Sequence, residues 1–500
     1  MALLLLFSVF VVSTCGLIYE LICGTLASYL LGDSVTQFST IIGIYLFSMG
    51  VGSYFSKFID KKLIETFIQI ELLIGLLGGF SALILFMAFE FVSHFRPLLY
   101  SMVFFIGCCV GLEIPLMMRI LKEHYTDFKD LVSKVFTFDY IGALLASLLF
   151  PLLLVPHLGL VRSALLFGLI NTAVGMLAIW SFRDKLVLIN RWYGKAIGCM
   201  VILLTGFVFS NTLTTFAEAR NYDGHILYSK STKYQRIVLT RTHNDIRLFL
   251  NGNLQFSSRD EYRYHEALVH LGLSQLTNPK KVLVLGGGDG LAVREILKYP
   301  SIEHITLVDL DPVMTKLFRS VPMLLALNEE SLLSKKVTVV NDDAFLWLRA
   351  NQQKFDFVVI DFPDPSNFSL GKLYTNAFYR QLYKALTDEG MAVVQSTSPF
   401  VARKSYWCIA NTLESVGFYV KPYLTYVPAF GLWGFHLVAK TPTPSPTYQL
   451  PSRLRYLSQN VIPSLFNIPA DLDFLQTDIN ALNNQSLVRY FEDEWLSYVG

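Results

Sequence analysis

The chain has 500 residues, of which 53% are hydrophobic and 16% are charged, and its formal net charge is +2. Soluble domains carry about 25% charged residues, so part of this chain is expected to lie in a lipid bilayer. The small net charge, without a basic stripe of interleaved aromatic residues, argues against nucleic acid as a partner. The six cysteines lie mostly in apolar segments without metal-ligand spacing, so we expect neither a disulfide framework nor a metal site.

The first part of the chain is predicted to be an α-helical polytopic membrane domain at 1–215. About seven stretches are apolar and long enough to cross a bilayer. They lie at about 2–24, 36–56, 66–93, 97–121, 135–156, 160–181 and 196–215. The first lacks a basic n-region, so we expect it to be a span of the cell membrane and not a cleaved signal.

Four acidic residues fall inside these stretches: Glu20, Glu71, Glu113 and Asp139. A carboxylate is costly in a bilayer and usually faces the interior of a helix bundle, where it marks a functional site. One interpretation is a site for a cationic solute. The other is that these acids form hydrogen bonds between helices, or lie nearer the membrane interface.

Two arguments about the orientation of the chain in the membrane disagree, one from the basic residues and one from the predicted ligand. Basic residues follow the even-numbered stretches: Lys57, Lys61, Lys62, Arg119, Lys122, Lys129, Arg183, Lys185 and Arg191. The positive-inside rule then places the N-terminus in the cytoplasm, and about seven spans would place the second half of the chain outside. The nucleoside ligand predicted below for that half favours the cytoplasm instead.

After the last apolar stretch, a small antiparallel β unit is predicted at 216–260. Residues 235–239 and 246–250 alternate between apolar and polar side chains, as half-buried strands do. Turn signals at 243–245 and at Asn251–Gly252 separate the strands. Residues 260–271 then have helical spacing.

The stretch at 280–312 predicts a nucleoside site on an α/β Rossmann-like (class I methyltransferase-like) domain at 261–445. A buried strand at 282–285 leads into GGGDG at 286–290 and a helix, and a second strand ends on Asp309. Glycines such as Gly286 and Gly288 allow the backbone to approach a ligand, and the acid can accept both ribose hydroxyls. Further strands are predicted at 337–340, 357–360, 392–395 and 435–439, before a C-terminal extension at 446–500.

Acidic residues recur where these strands end: Asp289, Asp309, Asp343, Asp361 and Asp364. In open α/β sheets the ligand crevice lies at those ends. Carboxylates gathered around one crevice repel each other unless the ligand is cationic. Taken singly, each could be a cap or turn residue. As a set, they predict a positively charged nucleoside and a second, amine-bearing substrate.

At these residues the sequence resembles the spermidine synthase (polyamine aminopropyltransferase) family. The motifs are Tyr234–Gln235, the run at 260–266, GGGDG at 286–290, Asp309, the pair Asp342–Asp343 and DFPDP at 361–365. The first half is similar to that of membrane-fused members at GLIYEL (16–21), Pro115 and 139–143. The tail is similar to the extension that such fusions carry. Soluble members oligomerise, so a homo-oligomer is also implied.

The resemblance implies a transferase of polyamine biosynthesis that uses decarboxylated S-adenosylmethionine as cosubstrate, without a permanently bound cofactor. By position, Gly286, Gly288 and the pair Asp342–Asp343 would lie on the donor side, with Asp343 at the adenine amino group. Gln235, His265 and Asp289 would hold the aminopropyl–sulfonium part, and Asp309 the ribose. Asp361 would deprotonate the attacking amine, while Tyr264 and Asp364 hold the acceptor, by default putrescine, giving spermidine and methylthioadenosine.

Three segments on the acceptor side depart from the family pattern: 366–371, 396–400 and 427–431. Two alternatives therefore stay open. One is a polyamine-sensing or polyamine-transport protein with a non-catalytic synthase-like domain. The other is a methyltransferase that uses ordinary S-adenosylmethionine, although an acid-rich donor pocket disfavours the carboxylate of that donor.

Overall fold

The structure is a computed structural model that describes residues 2–31, 34–91, 95–122, 125, 127–218, 222, 224–442 and 447–499. The chain forms two compact units, Met1–His225 and Ile226–Gly500. The domain boundary predicted at 445/446 lies outside the described residues.

The first unit is helical. Its helices are α1 Ala2–Leu31, α2 Ser34–Phe55, α3 Leu63–Phe91, α4 Phe95–Leu121, α5 Phe128–Leu149, α6 Val155–Ser181 and α7 Ile189–Glu218. A π-helical turn, Phe150–Leu154, joins α5 to α6. An α-helix satisfies its backbone hydrogen bonds internally, which lets a continuous apolar sequence cross lipid.

Six helices among the described residues are long and apolar enough to cross a membrane. One of them, Phe128–Ser181, contains both stretches that the sequence divides at about residue 158. Gly159 breaks this run, since its φ of 75° and ψ of 177° are not helical. The predicted polytopic helical domain is therefore confirmed, and the difference between six and about seven spans depends on how this broken run is counted.

The second unit begins with a four-stranded antiparallel sheet in the order β1-β2-β3-β4. Its strands are β1 His225–Ser231, β2 Arg236–Thr242, β3 Asp245–Leu250 and β4 Asn253–Ser257. Thr242 pairs with Asp245, and Leu250 pairs with Asn253, so both predicted turn signals close hairpins. The small antiparallel β unit is confirmed.

A seven-stranded sheet follows, in the order β10-β11-β9-β8-β5-β6-β7. Its strands are β5 Lys281–Gly286, β6 His304–Asp309, β7 Val337–Asn341, β8 Phe355–Asp361, β9 Leu386–Gln395, β10 Tyr419–Val427 and β11 Gly431–Ala439. Strands β5 to β9 pair in parallel, and β10 and β11 are antiparallel. The predicted Rossmann-like domain is confirmed.

Helices and loops surround this sheet and bury its apolar strands on both faces. The helices are α8 Glu261–Leu273, α9 Leu291–Ile296, α10 Pro312–Phe318, α11 Pro322–Leu327, α12 Ala344–Ala350, α13 Phe368–Gly371, α14 Asn376–Ala385, α15 Arg403–Glu414, α16 Ile462–Leu465 and α17 Ser486–Val499. Buried residues of β5 contribute to both cores, Val282 and Val284 on one face and Leu283 and Leu285 on the other.

Strand β10 is absent from the elements predicted above. Pro422 lies within it, and proline normally argues against a strand because it cannot donate a ladder hydrogen bond. The structure places β10 at the edge of the sheet, where only its β11 side is paired. An edge position tolerates proline, which explains the missed element.

Candidate active site

The glycine-rich turn after β5 lies against the ends of two neighbouring strands. Gly286 has a φ of 82°, and a Cβ there would lie 2.1 Å from the carbonyl oxygen of Asp361. A Cβ on Gly288 would lie 2.6 Å from Oδ2 of Asp309. Neither position can carry a side chain without displacing its neighbour. The turn therefore brings the backbone next to the carboxyl ends of β6 and β8.

Asp309 lies where β6 ends and is half-buried. Its Oδ2 accepts a hydrogen bond of 3.1 Å from the Gly288 amide, and its Oδ1 accepts one of 2.9 Å from the Asp311 amide. Burial raises the pKa of this carboxyl to about 6. The predicted ribose-binding acid is thus in the crevice, oriented by the backbone around it.

Asp361, at the end of β8, contacts α8. The Tyr264 hydroxyl donates a hydrogen bond of 2.5 Å to Asp361 Oδ1. Burial raises the pKa of Asp361 to about 6, although the charge of His265 and the hydrogen bond from Tyr264 oppose this shift. A carboxylate held by a buried tyrosine, with a pKa just below neutral, is suited to accept a proton.

His265 follows Tyr264 on α8 and is buried. Its Nδ1 lies 2.8 Å from Oε2 of Glu261, one turn earlier. Burial lowers the pKa of His265, but the hydrogen bond and charge of Glu261 outweigh it and raise the pKa to about 9. The imidazole is therefore protonated at neutral pH. Its positive charge acts on Asp289 and on Asp361.

Asp289 is buried at the start of α9. Its Oδ1 accepts a hydrogen bond of 2.9 Å from the Leu291 amide, and its carbonyl oxygen accepts one of 2.9 Å from Asn328 Nδ2. Burial raises the pKa of this carboxyl, and the charge of His265 opposes the shift. The structure thus places Asp289, His265 and Asp361 within electrostatic reach of one another.

Asp364 lies beyond β8 and is held by a residue that the sequence analysis did not select. Gln395 Nε2 donates a hydrogen bond of 3.0 Å to Asp364 Oδ1, and Gln395 Oε1 accepts one of 2.9 Å from the Thr397 amide. Burial raises the pKa of Asp364 to about 6. Gln395 could have been selected from the sequence as a polar residue at the end of a buried strand, which is β9.

The side chain of Gln235 contacts Asp311, an acid that is not among the predicted site residues. Its Nε2 donates a hydrogen bond of 3.1 Å to Asp311 Oδ2, which also accepts one of 2.8 Å from Thr232 Oγ1. Asp311 is buried and follows Asp309 by two residues. Asp311 therefore fixes the segment between β1 and β2 beside the crevice, a role that the sequence analysis missed.

The pair Asp342–Asp343 lies at the edge strand β7. Asp342 is exposed and accepts a hydrogen bond of 2.7 Å from the Asp343 amide. Asp343 caps α12, accepting from the Phe345 amide at 2.8 Å, and its Oδ2 lies 2.6 Å from Lys372 Nζ. Burial by itself would raise the pKa of Asp343. The charge and hydrogen bond of Lys372, together with the helix amides, outweigh burial and lower that pKa. Its two oxygens already have donors, so an adenine amino group would have to share them.

A buried ionic network extends from the crevice into the core. Arg294 donates two hydrogen bonds of 3.0 Å to the two carboxylate oxygens of Glu261. Arg294 Nε also contacts Glu295 Oε1 at 2.9 Å, and Glu295 Oε2 lies 2.9 Å from His270 Nε2. Local sequence patterns do not predict this network, because Glu261 is 33 residues from Arg294 and His270 is 25 residues from Glu295. It fixes Glu261, which in turn keeps His265 charged.

Within the described ranges, no group of three or more His, Cys, Asp and Glu side chains is placed to hold a metal ion. The groups around the ends of β5, β6 and β8 are carboxylates, one imidazolium, a tyrosine hydroxyl and backbone amides. Such a crevice can hold a cationic ligand and remove a proton from a second one.

Comparisons with known proteins agree with this chemistry. The sequence pattern described as "Spermine/spermidine synthase domain" matches residues 261–449. A "Polyamine aminopropyltransferase" of Leptospira interrogans is 52% identical over 490 residues, covering 98% of each chain. "Polyamine aminopropyltransferase 2" of Ralstonia nicotianae is 52% identical over 503 residues, again covering 98% of each.

A solved spermidine synthase, in complex with the transition state analogue AdoDATO, covers 49% of this chain and 86% of its own, at 26% identity and a TM-score of 0.47. The relatives from Leptospira and Ralstonia match this chain across both units. The resemblance is therefore confirmed for the helical half as well as for the sheet. The chain therefore belongs to the spermine/spermidine synthase family and is a transferase of the polyamine aminopropyltransferase type.

Proposed function

We propose that this chain transfers the aminopropyl group of decarboxylated S-adenosylmethionine to the amine putrescine, giving spermidine and methylthioadenosine. One observation carries the proposal: Asp361 lies at the end of β8 against the glycine turn, held by the Tyr264 hydroxyl at 2.5 Å. This position supports the assignment of Asp361 as a proton acceptor beside the position expected for a nucleoside. Family membership supplies the reaction class.

The donor side is built from acids that complement a positively charged nucleoside. In the proposed complex Asp309 accepts the ribose hydroxyls, with Gly286 and Gly288 leaving room for the nucleoside. Asp289, beside the charged His265, faces the aminopropyl–sulfonium part, with Gln235 across the crevice on Asp311. The pair Asp342–Asp343 would lie at the adenine of the donor. There Asp343 would contact both the adenine amino group and Lys372.

The acceptor amine arrives protonated, because a free alkylamine has a pKa of about 10.4 like that of lysine. In the proposed step Asp361 takes a proton from the amine, and the nitrogen lone pair attacks the carbon bonded to the sulfonium. The C–N bond forms as the C–S bond breaks, and the bonding pair stays on sulfur as the neutral thioether. Holding the two reactants in line supplies much of the rate.

Aromatic side chains support a site for the methylene chain of the acceptor. The Tyr264 ring lies 6.3 Å from Phe430 and 5.2 Å from Phe435, centroid to centroid. Trp433 lies 5.3 Å from Phe430. Phe430 belongs to the segment 427–431 that departs from the family pattern. We infer that this aromatic group lines the acceptor pocket, with Asp364 and Gln395 holding an amino end.

An assay on the purified full chain in detergent tests the proposal. Labelled decarboxylated S-adenosylmethionine is supplied with a panel of diamines and polyamines, and both methylthioadenosine and the extended amine are measured. Putrescine is expected to give the fastest turnover. Product from another amine alone would overturn the acceptor assignment. Donor binding without product from any amine would favour the sensor alternative, and methyl transfer from S-adenosylmethionine would favour the methyltransferase.

A further inference from the structure

Two carboxyl groups meet inside the helical unit, away from the site described above. Glu71 on α3 and Glu113 on α4 are 0% and 2% exposed. They share a side-chain hydrogen bond. Asn171 on α6 donates a further hydrogen bond of 3.0 Å from Nδ2 to Glu71 Oε2. A hydrogen bond between two carboxyl groups requires at least one proton, so the pair is singly negative with one proton and neutral with two.

Four oxygen atoms around this pair have no hydrogen-bond partner among the described residues. They are Glu71 Oε1, Glu113 Oε1, Asn171 Oδ1 and the Tyr19 hydroxyl. All four side chains are buried, and Tyr19 on α1 is within electrostatic reach of both carboxyls. A buried polar atom without a protein partner is costly, and a bound water or ion is one way in which such an atom is satisfied. Here the atoms come from four different helices and all are oxygens.

No positive charge from the described part of the chain balances the pair. The titratable groups that interact with Glu71, Glu113 or Tyr19 are all acidic or neutral: Cys15 on α1, Tyr45 on α2, Cys109 on α4 and Asp139 on α5. The ion pairs described in this unit involve other acids, at Asp60, Glu65, Asp130 and Asp184. The charge that remains when the pair holds one shared proton must therefore be balanced by a second proton or by a cation from solution.

The packing around the pair limits the size of such a cation. A Cβ on Gly78 would lie 2.6 Å from the Tyr19 ring, and one on Gly75 would lie 2.7 Å from Thr172 Oγ1. A Cβ on Gly175 would lie 3.4 Å from the Glu71 Cβ. Close approach of small residues is a usual mode of helix packing in membranes. These contacts bring α1, α3 and α6 together beside the pair, so a compact cation is expected here and not an extended alkylamine.

We propose that Glu71, Glu113, Asn171 and Tyr19 form a binding site for one small monovalent metal cation, taken up in exchange for the second proton while the two carboxyl groups keep sharing the first. Oxygen ligands suit a hard cation such as Na⁺ or Li⁺, and carboxylate, amide and hydroxyl oxygens supply them here. One positive charge enters as the second proton leaves, so the site is neutral in both states. No bond other than O–H is broken, and nothing is oxidised or reduced.

Thermal unfolding of the full chain in detergent tests the site without reference to enzyme activity. The midpoint is measured in sodium, lithium, potassium or choline chloride at equal ionic strength, from pH 6 to pH 9. Sodium and lithium are expected to raise the midpoint above its value in choline. The rise should grow with pH, since protons compete with the cation. In a weakly buffered solution, adding NaCl should release about one proton per chain.

The variants Glu71→Gln and Glu113→Gln should each lose the sodium-dependent shift and the proton release. Tyr19→Phe removes a single oxygen with little change of shape, and it should raise the sodium concentration needed for half of the shift. Glu65→Gln, an acid on α3 that pairs with Lys62, serves as the matched control and should keep the full response. Equal midpoints in all four salts at every pH would overturn the proposal. So would loss of the response in the Glu65 variant, or an unchanged response in Tyr19→Phe together with either glutamine variant.

Discussion

Asp361 is the residue on which the proposed chemistry depends most. It lies opposite Gly286 in the parallel pairing of β5 with β8, and its other neighbour is Tyr264 on α8. Strand, glycine turn and helix therefore fix one carboxylate from three directions. A catalytic base needs this preorganisation as well as a suitable pKa.

Replacing Asp361 with asparagine should keep the shape of the crevice but remove the proton acceptor. We expect kcat to fall by about 10²- to 10⁴-fold, the usual contribution of a general base. The dissociation constant of the donor, measured by calorimetry, should stay close to that of the parent. Asp388→Asn, at an exposed residue outside the crevice, is the control. A large loss of donor affinity in Asp361→Asn would contradict the assigned role.

Asp309 should act on binding and not on the chemical step. Asp309→Ala removes the acceptor for the ribose hydroxyls, and hydrogen bonds to a charged group are worth about 1.5–3 kcal/mol. The KM for the donor should therefore rise by about 10- to 100-fold. A donor lacking the ribose hydroxyls should bind the parent weakly, and the variant should not discriminate against it. An unchanged KM would show that Asp309 does not hold the nucleoside.

The dependence of kcat/KM on pH should reflect the protonation of the buried carboxyl groups in the crevice. The pKa of Asp309, Asp361 and Asp364 is raised to about 6 in each case, mainly by burial. A raised pKa means that these groups gain protons as the pH falls through about 6, and the proposed roles of Asp309 and Asp361 require carboxylates. We expect kcat/KM to be level above pH 7 and to fall at least about tenfold per pH unit below 6. A level profile down to pH 5 would be inconsistent with this prediction.

At the scale of elements, helix α8 connects the crevice to the rest of the second unit. Tyr264 and His265 face the site, and Glu261 receives Arg294 from α9. Glu266, on the same helix, accepts hydrogen bonds of 2.7, 2.9 and 2.8 Å from the backbone amides of residues 455–457. One short helix thus supplies catalytic candidates and an anchor for the C-terminal segment.

Glu266→Gln tests that anchor. An amide keeps one acceptor oxygen but loses the charge, so docking of the C-terminal segment should weaken by roughly 1–3 kcal/mol, the usual cost of an imperfect buried hydrogen-bond group. Limited proteolysis of the folded protein should then cut within 447–499 faster than in the parent. Glu414→Gln on α15, an exposed acid, provides the comparison. Equal cutting rates would mean that the carboxylate of Glu266 does not hold this segment.

At the scale of the whole molecule, the number of membrane crossings depends on the run Phe128–Ser181. Its 54 residues would form a straight helix of about 80 Å at a rise of about 1.5 Å per residue, far longer than a bilayer core of about 30 Å. The break at Gly159 is suited to turn the chain back. We therefore expect this run to cross twice, which makes seven crossings in the unit.

Seven crossings would place the loop between α2 and α3 and the second unit on opposite sides of the membrane. Single cysteines at Lys61 and Asp388, in a chain whose six native cysteines are replaced, report this with a membrane-impermeant thiol reagent on intact and lysed cells. One position should react before lysis and the other only afterwards. Reaction of both under the same condition would mean that the run crosses once.

Much of the architecture can be predicted from the sequence. Continuous apolar stretches predict the helical unit because a bilayer allows few alternatives. The strand, glycine turn, helix and acid at 282–309 predict the parallel sheet and its crevice, because the carboxyl ends of parallel strands meet at one edge. The strand pattern predicts Asp309 and Asp361 at strand ends, and the family resemblance supplies their expected roles.

The partners of these residues needed the tertiary structure. Tyr264 and Asp361 are 97 residues apart, Gln235 and Asp311 are 76 apart, and Glu71 and Asn171 are 100 apart. Periodicity and turn signals are local, so they place a side chain on an element but do not identify what it contacts across the fold. The ion pair of Asp343 with Lys372 and the meeting of Glu71 with Glu113 were therefore decided by packing alone.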